Sequence, residues 1–262
     1  MGKFLDSSLL KEAQETCHYF WQSGWGECHA GNLSYLLDEA QLLEYKEDFQ
    51  VKRTISIAFS TQGLVGKTFL VTRSGAVFRK ALRNPQEDFG VVCIKKAEIE
   101  VLWGFENNQS PTSELSAHLQ CHSQRLANNK ENRLVLHCHP TYTIMMTFMH
   151  PLVEKELTET LWRLNSECVL VFPDGVGLLP WMICGEGAIG EETAKKMRDH
   201  RIVIWPYHGM FASGKDFDEV VGLIETIEKN ARVYMMTQNA VNEGITHKQV
   251  RDLAKAFKVE IE

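Results

Sequence analysis

Extended apolar runs alternate with helical patterns along nearly the whole chain, and this alternation constrains its fold more than any other feature. Strands are predicted at "NLSYLL", "KTFLVT", "VVCIKK", "EIEVLW", 133–139, "ECVLVF" and "RIVIWPYHG". Helices are predicted at 7–24, "TSELSAHLQCHSQRL", 141–149, 152–164, 187–199, 215–236 and 246–257. Interleaved elements of this kind favour an α/β fold in which helices cover both faces of one sheet. The hairpin pattern of "VVCIKK" and "EIEVLW" indicates a mixed rather than a wholly parallel sheet.

The length of 262 residues suits one domain with a substantial core. No internal repeat, low-complexity tract or long linker divides the chain, so residues 1–262 are interpreted as a single domain. Residues 38–66 form an irregular stretch that is longer than most loops. We interpret this stretch as a candidate peripheral insertion, either mobile or in contact with another subunit.

Charge and composition exclude several classes of partner. The formal net charge of −6 gives no general attraction for nucleic acid or for an anionic membrane. No apolar run reaches the roughly 18 residues that a membrane span needs, and the N-terminus lacks the core of a signal peptide. The seven cysteines are scattered and include no C-x-x-C pair, which is typical of reduced thiols in a cytoplasmic protein. We therefore expect no nucleic-acid partner and no membrane partner.

Two histidines lie in the apolar run "RLVLHCHPT". In an extended strand, residues two apart point the same way, so His137 and His139 share one face and Cys138 lies on the other. Pro140 favours an extended backbone at His139. His208 closes another apolar strand, "RIVIWPYH". Three imidazoles from two strand ends, with one coordination position left open, suit catalytic zinc.

The same histidines have a simpler interpretation, because buried imidazoles are often held only by hydrogen bonds within a core. His118 and His122 are also a competing ligand pair, since they are four residues apart on one face of a predicted helix. That helix is typical of a packing element, which favours the strand histidines. From residue types and spacing alone, the metal site stays one alternative among these.

Other polar residues lie where helices and strands begin or end. Glu114, in "PTSELSAH", falls in the first turn of a predicted helix, where the helix dipole favours a carboxylate for structural reasons alone. Glu167 opens the predicted strand "ECVLVF", an ordinary place for a surface acid. Ser74 and Gly75 follow a strand, and the turn "AGNLS" at 30–34 precedes one. Exposed amides and hydroxyls in such turns can hold a phosphate, although these residue types are also common in turns.

Seven blocks of sequence resemble, in order, the zinc-dependent class II aldolase/adducin family. They are "AGNLS", "FLVTRSGAVFR", "PTSELSAH", "LHCHPT", "SECVLVFPDGVGLLPW", "AIGEETA" and "WPYHGMFASG", and the match extends from about residue 20 to 235. The blocks "FPDGVGLLPW" and "WPYHG" are similar to those of family members that act on L-rhamnulose 1-phosphate. The resemblance implies a lyase of L-rhamnose catabolism. Such an enzyme cleaves this sugar phosphate, in a retro-aldol reaction, into dihydroxyacetone phosphate and L-lactaldehyde.

The resemblance also implies a fold, an assembly and a set of site residues. The fold is a three-layer α/β/α sandwich around a mixed, largely antiparallel sheet, and the assembly is a homotetramer with active sites between subunits. One Zn²⁺ per subunit is expected on His137, His139 and His208, although cobalt or manganese fits the same ligands. Glu114 is the expected catalytic acid–base group, and Glu167 is a second acid contributed across a subunit boundary. Substrate and phosphate binding is expected at His29, Gly31, Asn32, Ser74, Gly75, Thr112 and Ser113.

Three positions depart from the family pattern. His29 stands where an asparagine is expected, which changes one side-chain contact to the substrate. Arg73 replaces the first glycine of a Thr-Gly-Ser-Gly turn. It is strained if that position needs a positive φ, or else its guanidinium helps to hold phosphate. Leu36 replaces a common arginine, which alters a core contact or a subunit contact.

Two competing functions are compatible with these residues. The first is a different chemistry on the same metal site, such as cleavage of fuculose 1-phosphate or 4-epimerisation of a pentulose phosphate, because one fold hosts several activities. The second is a non-catalytic binding module, since the head domain of adducin belongs to the same family. The intact set of His137, His139, His208 and Glu114 favours an enzyme.

Overall fold

The computed structural model describes residues 3–61, 63–185, 187–240, 242 and 244–261. Its strands are β1 (Asn32–Leu36), β2 (Arg53–Ser56), β3 (Thr68–Thr72), β4 (Phe89–Ile94), β5 (Glu98–Gly104), β6 (Leu134–Cys138), β7 (Gly177–Leu178), β8 (Ile202–Trp205) and β9 (Gly209–Gly214). Its α-helices are α1 (Ser8–Gln22), α2 (Glu39–Glu44), α3 (Pro85–Asp88), α4 (Leu115–Asn128), α5 (Thr141–Met149), α6 (Glu154–Leu164), α7 (Cys168–Val171), α8 (Gly187–Met197), α9 (Phe217–Met236) and α10 (His247–Phe257).

All of these strands belong to one sheet, in the order β2-β5-β4-β3-β1-β6-β9-β8-β7. Every neighbouring pair is antiparallel except β7 and β8, which are parallel. The prediction of a mixed, largely antiparallel sheet is therefore confirmed. Strand β6 lies between β1 and β9, so His137 is opposite Asn32 on one side and Phe211 on the other. This register decides which side chains meet at the end of β6.

Helices cover both faces of the sheet, as the three-layer prediction requires. Leu134, Leu136 and Cys138 of β6 pack in the large core cluster formed with α1, α5, α6, α9 and α10. Val135, between them, packs on the opposite face in a cluster with α4 and α8. The alternation follows from the period of two along a strand, and it places His137 on the α4 side of the sheet. None of the helices described here combines the length and the apolar character that crossing a bilayer requires.

The turn after His139 is held by a buried carboxylate from helix α9. Helix α5 begins directly after Pro140, so its first backbone N–H groups have no partner within the helix. Glu228 of α9, which is buried, accepts the N–H groups of Tyr142 and Thr143, each at 2.8 Å. This cap fixes the path of the chain where the H-x-H strand ends.

One predicted element is wrong in type. The run "ECVLVF" was expected to be a strand opened by Glu167, whereas Cys168–Val171 form the short helix α7 and Glu167 is its N-cap residue. Asn165 starts this turn, because its side-chain oxygen accepts the backbone N–H of Glu167 at 3.1 Å. An apolar run of this length has no periodicity that separates a buried strand from a buried helical turn.

Two other regions carry more regular structure than the sequence predicts. Residues 38–66, expected to be irregular, contain helix α2 and strand β2, which pairs with β5 at one edge of the sheet. The segment "RIVIWPYHG" is a strand only over Ile202–Trp205, and a turn then leads into β9, which was not predicted. His208 therefore lies in the turn between two strands rather than at the end of one.

Candidate metal centre

The first imidazole of the H-x-H motif is almost fully buried at the centre of the sheet. The ring of His137 stacks on Phe211, with 4.6 Å between the ring centroids. Its Nδ1–H donates to the carbonyl of Met210 on the neighbouring strand β9, at 2.9 Å. A neutral imidazole carries only one N–H, so this bond leaves the Nε2 atom of His137 without a proton. Such a nitrogen is called bare below, and its lone pair is directed into the site.

The second imidazole lies just beyond the last residue of β6. The backbone N–H of His139 donates to the carbonyl of Trp25 at 2.9 Å, and its ring Nδ1 lies 3.0 Å from Oε1 of Glu27. The carboxylate accepts the Nδ1–H, so in the neutral imidazole, which is the form that binds metal, the Nε2 atom of His139 is also bare. The Nε2 atoms of His139 and His137 are 3.3 Å apart. Two lone pairs facing each other at this distance repel unless a cation lies between them.

The third imidazole comes from the turn between β8 and β9. The ring centroid of His208 lies 5.1 Å from that of His137 and 4.8 Å from that of His139. The next residue, Gly209, allows this approach, because a Cβ there would be 2.3 Å from the carbonyl oxygen of Cys138. A side chain at position 209 would therefore push the turn away from β6.

The three histidines fit a divalent metal ion. One ligand nitrogen from each of them lies within 4.8 Å of the others, and no other such group of potential ligands occurs among the residues described. Two nitrogen ligands of a tetrahedral zinc ion, bonded at about 2.0–2.1 Å, are about 3.3 Å apart. This is the separation found between the two strand imidazoles. The fold thus provides three nitrogen donors and leaves the remaining coordination position open.

Burial keeps the ligands in the form that binds metal. It lowers the pKa of His137 well below the ordinary value, and the neighbouring rings of His139 and His208 lower it further. The pKa of His208 is lowered by burial and by His139. Metal ions bind the neutral imidazole, so these two ligands need not lose a proton before binding at neutral pH.

A carboxylate lies beside the three imidazoles. The Oε2 atom of Glu114 is 3.8 Å from Nε2 of His137, and it accepts a hydrogen bond from Nδ2 of Asn32 at 2.8 Å. Burial raises the pKa of Glu114, and the Asn32 bond partly offsets the rise. The sequence predicted Glu114 in the first turn of a helix, whereas Glu114 is the N-cap residue of α4. The carboxyl group is therefore placed to exchange a proton with a group bound next to the histidines.

The residues predicted to bind substrate lie in or directly beside three turns that the fold brings together. They are His29, Gly31, Asn32, Ser74, Gly75, Thr112 and Ser113. The N–H of Thr112 donates to the carbonyl of Thr72 at 2.9 Å, which joins the second turn to the third. The Nδ1–H of His29 donates to the carbonyl of Gly75 at 3.0 Å, which joins the first turn to the second. Asn32 then connects the first turn to Glu114.

The first of these turns requires glycine at one position. Gly31 has φ +85°, a conformation that side chains rarely adopt. A Cβ at this position would also lie 2.6 Å from the ring of Phe78. The turn that leads into β1 can therefore lie against the buried Phe78 only because position 31 has no side chain.

A family model described as "Class II Aldolase and Adducin N-terminal domain" matches residues 11–235. The chain belongs to the class II aldolase and adducin family. Curated relatives extend the similarity over almost the full length. A protein of Listeria monocytogenes named rhamnulose-1-phosphate aldolase is 43% identical over 260 residues, which cover 98% of this chain and 95% of the relative. A Klebsiella pneumoniae protein of the same name is 39% identical over 266 residues, covering 99% of this chain and 96% of the relative.

Solved structures of class II aldolases have the same fold. A sugar-phosphate aldolase from Thermotoga maritima superposes with a TM-score of 0.77 at 25% identity, covering 89% of this chain and 96% of that one. A structure named L-fuculose 1-phosphate aldolase superposes with a TM-score of 0.63 at 18% identity, covering 97% of each chain. The second similarity concerns the fold alone, because its sequence identity is low.

Two departures from the class II aldolase pattern have structural explanations. Arg73 has no positive φ, so the expected strain is absent. Its Nε donates to Asp88 at 2.8 Å, and one of its terminal nitrogens donates to the carbonyls of Ser74 and Gly75, each at 3.0 Å. Arg73 thus fastens the second turn to a buried carboxylate. Leu36 is buried in a core cluster with β3, β4 and β5, so in the described chain it makes a core contact.

Glu167 is not brought to the metal centre within this chain. It is the exposed N-cap residue of α7, a helix that packs on α6, α9 and α10. In the described part of the chain, no hydrogen bond or ion pair joins Glu167 to the histidines or to Glu114. A role in the site would require contact with a second subunit.

The competing pair, His118 and His122, is fully buried on α4 and is hydrogen-bonded. Both rings contact the hydroxyl of Ser34, at 2.8 Å from Nδ1 of His118 and 2.9 Å from Nε2 of His122. Neither ring belongs to a group of potential metal ligands among the described residues. This pair therefore fits the interpretation of buried imidazoles that are held by hydrogen bonds within the core.

Glu27, which orients His139, is not among the site residues predicted from the sequence. Its only signal is its place in "GECHAG", directly before the first turn predicted to bind substrate. An acid that contacts the far nitrogen of a metal-binding imidazole fixes the ring and its tautomer. Such a contact depends on residues 112 positions apart, so no local pattern could have predicted it.

Proposed function

We propose that this class II aldolase family member cleaves L-rhamnulose 1-phosphate into dihydroxyacetone phosphate and L-lactaldehyde, as a step of L-rhamnose catabolism. The observation that carries the proposal is the meeting of two bare Nε2 atoms, 3.3 Å apart, with a third imidazole and the Glu114 carboxyl group beside them. The names of relatives that are 39–43% identical over nearly the whole chain support the choice of substrate.

We propose that His137, His139 and His208 of each subunit hold one Zn²⁺, because neutral nitrogen donors in this geometry suit that ion. Cobalt and manganese are compatible with the same ligands. When bound, the ion supplies Lewis-acid stabilisation of the negative charge that develops on the dihydroxyacetone phosphate half as the C3–C4 bond breaks.

The two carboxyl groups have separate tasks in this scheme. Glu167 of a neighbouring subunit accepts the proton of the C4 hydroxyl, whose oxygen becomes the aldehyde oxygen of L-lactaldehyde. The electron pair of the C3–C4 bond remains with the other fragment, and Glu114 in its neutral form delivers a proton to C3. The raised pKa of Glu114, caused by burial, increases the fraction that holds this proton at neutral pH.

The turns around the site hold the phosphate end of the substrate. We assign this binding to His29, Gly31, Asn32, Ser74, Gly75, Thr112 and Ser113, whose N–H and hydroxyl groups lie on connected segments. Arg73 holds the Ser74–Gly75 turn in place from behind rather than by direct contact with phosphate.

We propose a homotetramer with active sites between subunits, as the family resemblance implies. The position of Glu167 is compatible with a shared site, because it is exposed and makes no hydrogen bond or ion pair with the three histidines or Glu114 in the described chain. We place the enzyme in the cytoplasm, where thiols stay reduced. The seven free cysteines of the chain agree with that environment.

One assay tests the proposal. Zinc-loaded protein is incubated with L-rhamnulose 1-phosphate, and release of dihydroxyacetone phosphate is followed with and without a chelator. We expect release that the chelator abolishes and that zinc restores. L-fuculose 1-phosphate and a pentulose phosphate, the substrates of the competing functions, are assayed for comparison. Faster turnover of either one would replace the proposed substrate, and absence of any turnover would favour a binding module.

The role of Glu167 is tested by hybrid tetramers. The substitution Glu167→Ala should slow turnover and leave the metal content unchanged, because the residue is no ligand. Coexpression of Glu167→Ala subunits with Glu114→Gln subunits should restore part of the activity, since some sites then combine two intact carboxyl groups. Wild-type turnover in the single variant, or no recovery in the hybrids, would contradict the shared site.

A further inference from the structure

A continuous line of buried hydrogen bonds extends from the Glu114 carboxylate into the core. Asn32 donates from Nδ2 to Glu114 at 2.8 Å, and its Oδ1 contacts Nε2 of His118. Nδ1 of His118 lies 2.8 Å from the hydroxyl of Ser34, which lies 2.9 Å from Nε2 of His122. The last three side chains are fully buried, and Asn32 is 8% exposed. The metal centre is therefore connected, through one amide, to the histidine pair that takes no part in metal binding.

The spacing of residues along α4 and along β1 explains how this line of hydrogen bonds forms. Glu114, His118 and His122 are four residues apart in turn, so they lie along one face of α4 and its N-cap. Asn32 and Ser34 are two apart on β1, so both point toward that face. The helix and the strand present alternating partners, and every contact joins a residue of one element to a residue of the other.

The direction of every donor along this line is fixed. The Oε2 atom of Glu114 accepts the hydrogen bond from Nδ2 of Asn32, so the amide turns its oxygen toward His118. That oxygen only accepts, so Nε2 of His118 carries the proton. Burial lowers the pKa of His118 well below the ordinary value and that of His122 to about 3, so both rings are neutral. Nδ1 of His118 is then an acceptor, and the hydroxyl of Ser34 must donate to it.

The far end of the line agrees with this direction. Nε2 of His122 donates to the hydroxyl oxygen of Ser34, and it also lies 3.2 Å from the backbone carbonyl of Ser34, which only accepts. Its Nδ1 atom must then be bare, and in the described structure it is a buried nitrogen without a partner. The line therefore runs in one sense only, from His122 to Glu114.

The orientation of the Asn32 amide is the element that this line controls. If His118 did not donate to Oδ1, the amide could rotate by half a turn about its terminal bond. Its oxygen would then face the Glu114 carboxylate, and the two acceptors would repel. We propose that His118 is a positioning residue, which fixes the amide of Asn32 and, through it, the Glu114 carboxyl group beside the metal-binding histidines. This inference rests on the proposed function for the role of Glu114.

The first test does not depend on activity. Histidine-labelled zinc-bound protein is studied by solid-state ¹⁵N NMR, in which ring-nitrogen shifts separate the charged form from the two neutral tautomers. We expect His118 and His122 to be neutral with the proton on Nε2, each assigned from the signal lost in His118→Gln and His122→Gln. The Asn32→Ala substitution should shift the His118 signal. A proton on Nδ1 of His118, or a charged ring at pH 7, would overturn the proposal whatever the protein catalyses.

The second test uses matched variants at position 118. Glutamine places its amide nitrogen near the position of Nε2, so His118→Gln keeps the donor to Asn32, whereas His118→Leu removes it. We expect His118→Leu to lower kcat about 10- to 100-fold, the usual range for a group that orients another, with zinc content unchanged. His118→Gln should recover most of this loss. Equal losses in both variants, or wild-type kcat in His118→Leu, would contradict the inference.

Two further variants separate positioning from loosening of the helix. Cys121→Ala removes a buried side chain from α4 that faces α8 and lies outside the line, so it should lower the melting temperature and leave kcat unchanged. Ser34→Ala removes the donor to Nδ1 of His118 without changing the helix, and it should lower kcat less than His118→Leu. If wild-type protein does not cleave the substrate, the proposed function fails, whereas the NMR result still decides the inference.

Discussion

Among the residues that the structure describes, two histidine clusters lie on neighbouring elements, and only one of them is suited to a metal. In the metal centre, His137 and His139 donate from Nδ1 to Met210 and Glu27, and their bare Nε2 atoms face each other. In the helix pair, the hydroxyl of Ser34 lies between the two rings as both donor and acceptor. Each cluster contains a fully buried ring whose pKa is lowered by burial, His137 in one and His118 and His122 in the other. Metal binding therefore depends on where the bare nitrogens point, which burial and spacing do not determine.

The largest expected effect comes from removing one ligand. His139→Ala leaves two protein nitrogens, which hold zinc poorly, so metal and activity should be lost together. We expect activity to fall by more than about 100-fold, beyond the range for groups that only orient a ligand. Metal content after dialysis and release of dihydroxyacetone phosphate are the two measurements. A variant that kept both would exclude His139 from the metal centre.

An intermediate effect is expected from the carboxylate behind His139. Glu27→Gln keeps the side-chain length and removes the charge that fixes the ring, so zinc affinity should fall by about 10- to 100-fold. Competition with a chelator of known affinity measures the change. The control is Glu44→Gln, an exposed acid on α2, which should leave the affinity unchanged. An unaltered affinity in Glu27→Gln would mean that the backbone alone orients His139.

The helix pair should respond in stability rather than in metal binding. His122→Leu leaves the hydroxyl and the carbonyl of Ser34 without a buried donor, so the free energy of unfolding should fall by about 1–3 kcal/mol. Denaturant unfolding measures this loss, and zinc content should equal that of the wild type. Loss of zinc in this variant would show that the two clusters are less separate than their hydrogen bonds indicate.

The smallest expected effect concerns pH. Burial lowers the pKa of His122 to about 3, whereas the unfolded chain has the ordinary value of about 6.5. As pH falls below the unfolded value, the unfolded state gains a proton that the folded state cannot bind, so stability decreases. His122→Gln keeps a donor to Ser34 and does not titrate. Between pH 6.5 and 5.5 it should lose about 1 kcal/mol less stability than the wild type. Equal pH profiles would mean that His122 already binds a proton in the folded state.

Much of the fold followed from local patterns. The helices at 7–24, 141–149, 215–236 and 246–257 lie within two residues of α1, α5, α9 and α10, because their apolar periodicity and caps are local properties. The prediction of a strand at "ECVLVF" was wrong, and strand β9 was not predicted. A short apolar run becomes a helix or a strand according to its neighbours. Strand β9 lies between β8, which directly precedes it in the chain, and β6, which is far away in the sequence.

The sequence by itself determined the ligand types, the same-face placement of His137 and His139, and the family resemblance. Each of these depends on residues that are close together or on blocks in a fixed order. The tertiary structure alone decided which histidines have bare nitrogens, because their partners, Met210, Glu27 and Ser34, come from two other strands and a loop. It also decided that Asn32 joins the two clusters, since a hydrogen bond between residues 86 positions apart exists only once the strand and the helix have packed.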